Sequence, residues 1–186
     1  MTVLELICEI LDQYSKAFGG GIPKTKLLKL AYLVEVMYKR KYMERITEAD
    51  WVYYLYGPYL FDYDNILESD NLKVTGKESR ENKEFTLINL MSNYHNDNIP
   101  ADIKFFIGDI IRDYGKWELP KILEYVYFET EPMINAENRR ETLNFDYVLP
   151  EEYYNVKKLK IEPKVEKQIL QELRKKSEAL RGKRSP

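Results

Sequence analysis

His95 and Cys8 carry the most reactive side chains of this sequence, and each is the single residue of its type among 186. A nucleophilic thiol needs an imidazole base beside it, and a structural zinc ion needs about four nitrogen or sulfur ligands. His95 lies in the polar segment SNYHNDNIP, whereas Cys8 belongs to the apolar face of a predicted helix. We therefore predict neither a Cys–His dyad nor a zinc site, and we interpret His95 as a solvated loop residue.

Two pairs of carboxylates are candidates for a magnesium site. Asp62 and Asp64 stand in the segment FDYDN, and Asp109 and Asp113 are spaced i, i+4 on a predicted helix. Oxygen ligands suit Mg²⁺, but paired acids on the solvent side of a helix ordinarily serve solvation. The sequence also lacks the G-x-S-x-G, H-E-x-x-H, Walker and G-x-G-x-x-G motifs. We predict that the protein is not an enzyme and that it needs no metal and no cofactor.

The charge is distributed unevenly along the chain. The net charge of −2 divides into about +7 for residues 157–186 and −9 for residues 1–156. An acidic body argues against nucleic acid binding by that part of the chain. We predict a single domain over residues 1–150, followed by a linker and basic helix over residues 151–186. The tail residues that could contact phosphate or an acidic protein are Arg174, Lys175, Lys176, Arg181, Lys183 and Arg184.

Composition indicates a cytoplasmic protein. Hydrophobic residues make up 44% and charged residues 32% of the chain, which is typical of an ordered globular domain rather than a disordered one. No apolar run approaches the roughly 20 residues that a membrane span needs. The N-terminal segment MTVLELICEI lacks the basic start of a secretory signal. With one cysteine no internal disulfide can form, which fits a reducing compartment.

Hydrophobic periodicity predicts a mainly helical fold with a small antiparallel sheet, of the α+β class, built around a central buried helix at 24–41. Thr2 and Glu5 have the spacing of a capping box at the start of the first helix. Further helices are predicted at 58–67, 100–114, 119–130 and 163–181. Strands are predicted at 50–56, 72–75 and 84–88, and residues 133–160 are expected to be irregular with an extended piece at 143–148.

The segment WVYYLYGPYLFDYDNIL at 51–67 contains seven aromatic residues among 17. On a strand successive side chains alternate between faces, so about half of these rings are expected in the core and half at the surface. Tyrosine offers a large contact area and a polar tip, which suits interfaces. Core packing alone is the alternative explanation. The residues predicted to bind a partner are Trp51, Tyr54, Tyr56, Gly57, Pro58, Tyr59 and Tyr63.

The order of these segments resembles the Panacea domain, the SocA-like antitoxin family of bacteria, archaea and their phages. The resemblance rests on the lysine–leucine helix Lys24 to Tyr38, the aromatic strand Trp51 to Leu55, and the turn Tyr56-Gly57-Pro58. The later segment YGKWELPKILEYVYFETEPMINA at 114–136 is similar to the second signature of the family. The resemblance implies a non-enzymatic antitoxin that neutralises its toxin by direct contact.

Two functions follow from this reading of the sequence. The first is a protein-binding module, with a cognate toxin as partner, the aromatic segment as its main surface and the basic tail as a second contact. The alternative is a winged-helix-like DNA-binding regulator, because a strand and a helix precede a predicted hairpin. The tip of that hairpin, GKESREN, balances its basic and acidic residues, and only one helix is predicted between the first strand and the hairpin where a winged helix has two.

Overall fold

The computed structural model describes residues 1–78, 84–92, 94 and 96–153. It confirms the predicted fold class, because the chain is mainly helical with small antiparallel sheets. The helices are α1 (Val3–Phe18), α2 (Lys24–Tyr42), α3 (Tyr63–Leu67), α4 (Ala101–Tyr114), α5 (Leu119–Glu129) and α6 (Glu131–Ile134). The strands are β1 (Ile22–Pro23), β2 (Val52–Tyr54), β3 (Gly57–Tyr59), β4 (Leu72–Glu78) and β5 (Glu84–Leu90), and Phe145–Tyr147 forms a 3₁₀ turn.

The first helix begins with the capping box that the sequence predicts. The Thr2 hydroxyl accepts a hydrogen bond from the Glu5 amide at 3.2 Å, and the Glu5 carboxylate accepts one from the Thr2 amide at 2.8 Å. These bonds satisfy two amides that the first helical turn leaves without partners. The helix ends before Gly19, whose φ of +74° suits glycine.

Helix α2 is the centre of the fold, as predicted. Every residue from 27 to 36 is buried, on all sides of the helix. Helices α1, α4 and α5 and strands β3 and β5 pack around it. The buried stretch contains two charged residues, Lys29 and Glu35, and such residues are rarely buried without a partner.

The larger sheet has the strand order β1-β5-β4, with both pairs antiparallel. Ile88 of β5 lies opposite Ile22 on one side and opposite Val74 on the other. Strand β1 was not predicted, since two residues that include a proline give no strand signal. Strand β4 extends beyond the predicted 72–75.

The prediction for the Gly-Pro segment was wrong. Gly57-Pro58 was expected to end a strand and begin a helix, but Gly57–Tyr59 is itself a strand paired with β2, and helix α3 begins at Tyr63. The hairpin has a two-residue loop, Leu55-Tyr56, with Tyr54 opposite Gly57. Proline is accepted at an edge strand, where its missing N–H breaks no ladder bond.

A segment after α6 pairs with the free edge of β2. The Tyr53 amide donates to the Glu141 carbonyl at 2.9 Å, and the Leu143 amide donates to the Trp51 carbonyl at 2.7 Å. The predicted extended piece at 143–148 was therefore placed too late, because the paired residues are 140–143 and a 3₁₀ turn follows. Backbone amides and carbonyls left open at a sheet edge favour such pairing.

Several predictions lie outside the described residues. These are the loop position of His95, residues 79–82 of the hairpin tip predicted at 76–82, the helix at 163–181 and the basic tail with all six of its named cations. The DNA-binding alternative depends on the tip and the tail and stays a prediction. Among the helices that the structure describes, none is long and apolar enough to cross a bilayer.

Candidate protein-binding site

Three aromatic rings meet at the outer side of the β2–β3 hairpin. The ring centroids of Tyr54 and Tyr59 are 5.5 Å apart, those of Tyr54 and Phe61 5.9 Å, and those of Tyr59 and Phe61 6.1 Å. Such tilted and edge-on contacts at 4.5–7 Å are favourable. With the loop residues Leu55 and Tyr56 they form what we call the hairpin surface: Tyr54, Leu55, Tyr56, Tyr59 and Phe61.

The hairpin surface exposes three large apolar side chains close together in sequence. Tyr56 is 73% exposed, Phe61 63% and Leu55 50%, and Tyr54 and Tyr59 are half-buried beside them. Scattered exposed apolar residues are ordinary, but a contiguous group of them marks an interaction site. Tyr54, Tyr56 and Tyr59 belong to the predicted set. Leu55 and Phe61 were not in that set, because sequence alternation did not indicate which side chains of this segment face solvent.

Trp51 and Tyr63 of the predicted set lie in the core instead. Each is 1% exposed. The Trp51 ring packs edge-on against Tyr32 with centroids 5.3 Å apart, and the Tyr63 hydroxyl donates to the Lys24 carbonyl at 2.9 Å. Burial raises the pKa of Tyr63. These two rings support the hairpin from below and have no surface to offer a partner.

Gly57 and Pro58 are buried as well, and they shape the hairpin. Gly57 has φ +89°, a conformation that residues with a Cβ rarely adopt. The Tyr127 ring lies 3.6 Å from where a Gly57 Cβ would stand, and Tyr127 also meets the Tyr53 ring edge-on at 6.3 Å. Helix α5 therefore covers the inner side of the hairpin.

A buried lysine holds the same turn from the side of the central helix. The Lys29 ammonium donates to the Pro58 carbonyl at 2.6 Å, and the residue is 2% exposed. Burial lowers the pKa of Lys29 to about 7, because an ammonium loses its hydration there. Periodicity assigned Lys29 to a helix but gave no sign that its charged end would point inward.

A groove of about 640 Å³ runs beside the hairpin surface. Val52, Leu60 and Ile66 contribute apolar walls, and Asp50 and Asp62 stand at its exposed rim. Such a groove can accept an apolar side chain that has a cationic neighbour. Arg140 also lines the groove, with its guanidinium carbon 6.0 Å from the Tyr54 ring centroid.

The loop that leads into β2 is fixed by a second buried charge. The Glu35 carboxylate, fully buried, accepts a hydrogen bond from the Thr47 hydroxyl and lies 3.6 Å from Arg45 Nε. Burial raises the pKa of Glu35, and the bond from Thr47 and the charge of Arg45 oppose that shift. Arg45 also donates to the Ala49 carbonyl at 2.6 Å. These contacts set where Trp51 enters the hairpin.

Three of the four aspartates considered for magnesium have other partners. Asp62 accepts a hydrogen bond from Asn65 at 2.6 Å, Asp64 pairs with Lys24, and Asp109 pairs with Arg112. In the described ranges, no three His, Cys, Asp or Glu side chains gather where they could hold a metal ion. Cys8 is buried, and burial raises the pKa of its thiol to about 11, so it is not activated as a nucleophile.

The fold and this site define a mainly helical α+β domain that displays an aromatic hairpin. The chain belongs to the family of antitoxin SocA-like, Panacea domains, whose family model matches residues 27–132, more than half of its length. The match begins within α2 and ends within α6, and thus includes Lys29, the Gly57-Pro58 strand and Tyr127. No curated protein and no solved structure matches the chain.

Proposed function

We propose that this protein is a non-enzymatic antitoxin that neutralises a cognate protein toxin by direct contact through the hairpin surface. The observation that carries the proposal is the group of exposed rings on a short, well-anchored hairpin. Membership of an antitoxin-like family supports a protein partner. Inhibition of this kind needs only a complex tight enough to cover or distort the site of the toxin.

The hairpin surface has the physical properties of a contact site. Tyrosine and phenylalanine bring large areas with few rotatable bonds, so little side-chain entropy is lost on binding. The rings of Tyr54, Tyr59 and Phe61 already restrain one another through their mutual contacts. A pre-ordered aromatic group of this type can form the centre of an interface, where single anchors contribute about 2 kcal/mol or more.

Charge points to the kind of surface that the toxin presents. Residues 1–156 carry a net charge of −9, and Asp50 and Asp62 stand beside the rings at the rim of the groove. Complementary potentials accelerate association and exclude wrong partners. We therefore expect a basic surface on the toxin, with an apolar side chain that enters the groove between Val52, Leu60 and Ile66.

The test uses the protein encoded by the neighbouring gene as candidate toxin. Growth rescue on co-expression establishes neutralisation, and calorimetry with the purified pair measures affinity. Tyr56→Ala and Tyr59→Ala are each expected to weaken binding about 10- to 100-fold. The matched control is Phe105→Ala on α4, because Phe105 and Tyr56 are both 73% exposed.

The control separates loss of a contact from loss of exposed aromatic area in general. We expect Phe105→Ala to bind as tightly as the unchanged protein. Phe105→Ala and Tyr56→Ala should unfold at similar urea concentrations, whereas Tyr59→Ala should unfold somewhat earlier because it also loses ring contacts with Tyr54 and Phe61. Full neutralisation by both tyrosine variants would show that another surface binds the toxin.

A further inference from the structure

Lys29 is a charged residue in the interior of the fold, 2% exposed. It lies within the buried stretch 27–36 of α2, and within the described part of the chain its one hydrogen bond goes to the Pro58 carbonyl. Among the described residues no carboxylate lies within 4.0 Å of its ammonium group. Two other cations differ from Lys29, since the buried Arg40 pairs with Glu131 and the half-buried Arg45 approaches Glu35.

Such a residue is unfavourable for stability on its own. An ammonium that leaves water loses its hydration, and one carbonyl oxygen recovers only part of that loss. The lowered pKa of Lys29 has the same cause. A methionine would fill the same volume without a desolvation cost. Stability of the core therefore does not explain why a lysine occupies position 29.

The position of the Pro58 carbonyl, which accepts the hydrogen bond from Lys29, offers an explanation. The Pro58 carbonyl belongs to the strand between Gly57 and Tyr59, so a bond to it restrains both residues. Gly57 is where the backbone adopts φ +89°, and Tyr59 carries one ring of the hairpin surface. Tyr127 of α5 contacts the hairpin at Gly57 from another element. Lys29 thus joins the central helix to the turn that aims the exposed rings.

We infer that Lys29 is a positioning residue: its bond to the Pro58 carbonyl fixes the hairpin surface in the geometry that a protein partner binds, at the expense of stability. This inference rests on the proposed function for what the hairpin binds, but the effect on hairpin geometry does not depend on any partner. If Lys29 served only the core, its replacement by an apolar isostere would stabilise the protein and leave the rings unaffected.

The decisive variant is Lys29→Met, studied in the full chain. At pH 6 we expect its urea midpoint to equal or exceed that of the unchanged protein. In ¹H–¹⁵N spectra without any partner we expect shifts or broadening of the Tyr54, Gly57 and Tyr59 amides. Toxin binding should weaken at least tenfold. Leu28→Met is the matched control, since Leu28 is the buried neighbour on the same helix, and it should leave the hairpin amides and affinity unchanged.

A third variant tests the hydrogen bond itself. Lys29→Gln keeps a neutral donor on a slightly shorter side chain. The chemical shifts of its hairpin amides should lie between those of Lys29→Met and those of the unchanged protein. Hairpin amides that do not respond to Lys29→Met would overturn the inference, and so would a Lys29→Met protein that fails to fold. If the amides respond but both tyrosine-to-alanine variants still neutralise the toxin, the inference holds and the proposed binding surface fails.

Discussion

The guanidinium of Arg40 lies 3.1 Å from the Glu131 carboxylate, and the two side chains are 4% and 10% exposed. This ion pair ties the last turns of α2 to the start of α6, 91 residues further along the chain. Arg40 also donates to the Tyr125 hydroxyl at 3.2 Å, and the other Glu131 oxygen accepts from the Leu149 amide at 3.4 Å. The pair is thus the centre of a buried network that joins α2, α5, α6 and the segment after α6.

Glu131→Ala should strongly destabilise the protein. Arg40 would keep its charge in a buried site without its carboxylate, and removal of one partner of a buried pair costs about 3–5 kcal/mol. Urea denaturation measures the free energy of unfolding. Asp109→Ala is the control, because Asp109 and Arg112 form an ion pair whose side chains are 61% and 60% exposed. We expect the control to change stability by about 0.5 kcal/mol or less, and equal losses in both variants would contradict the buried network.

Gly57→Ala should destabilise the hairpin through its backbone. A φ of +89° is unfavourable for a residue with a Cβ, and the strain costs about 1–2 kcal/mol. Gly76 of β4 is the matched glycine, because it has no positive φ and open space around the position of a Cβ. Gly76→Ala should be neutral or slightly stabilising. The midpoint of thermal unfolding is measured for both variants and should fall only for Gly57→Ala. An unchanged midpoint for Gly57→Ala would contradict the assigned turn.

The buried ammonium of Lys29 should make stability depend on pH. Its pKa is about 7 in the folded protein and near the ordinary lysine value of 10.5 when unfolded. Between these values the unfolded chain binds more protons, so the contribution of Lys29 to stability rises with pH in that window and is lost as pH falls through 7. The slope is at most about 1.4 kcal/mol per pH unit.

The Lys29→Met variant isolates that contribution. The free energies of unfolding of the unchanged protein and the variant are compared at pH 6 and at pH 9. At pH 6 Lys29→Met should have the larger free energy of unfolding, and this advantage over the unchanged protein should shrink towards pH 9. Tyrosines such as Tyr32 and Tyr63, whose pKa values burial raises, are present in both proteins and cancel. A difference that does not vary with pH would show that Lys29 titrates normally.

Tyr32→Phe should cost a modest amount of stability. The Tyr32 hydroxyl lies 3.1 Å from the Thr130 hydroxyl, and the latter also donates to the Val126 carbonyl at 2.5 Å. The variant removes one buried hydrogen bond but leaves Thr130 with a partner, so we expect a loss of about 1 kcal/mol in urea denaturation. The exposed Tyr56→Phe should have no measurable effect. A Tyr32→Phe protein that is as stable as the unchanged one would contradict this contact.

The main helices could be predicted because their signals are local. The capping box at Thr2 and Glu5 and the apolar stripes of α1, α4 and α5 are properties of short segments, and the structure confirms them. The nearly continuous apolar surface of α2 likewise predicted its central place. The Gly57-Pro58 strand could not be predicted in this way, because a proline suits both a first helical turn and an edge strand.

The sequence by itself determined the main helices, the fold class, the family resemblance and the concentration of rings at 51–67. Only the tertiary structure decided which of those rings are exposed, since Trp51 and Tyr63 turn inward while Tyr56 and Phe61 face solvent. It also decided that Lys29 meets Pro58, 29 residues away. The physical reason is range: periodicity and capping act within a few turns of chain, whereas burial and buried polar contacts depend on which distant segments pack together.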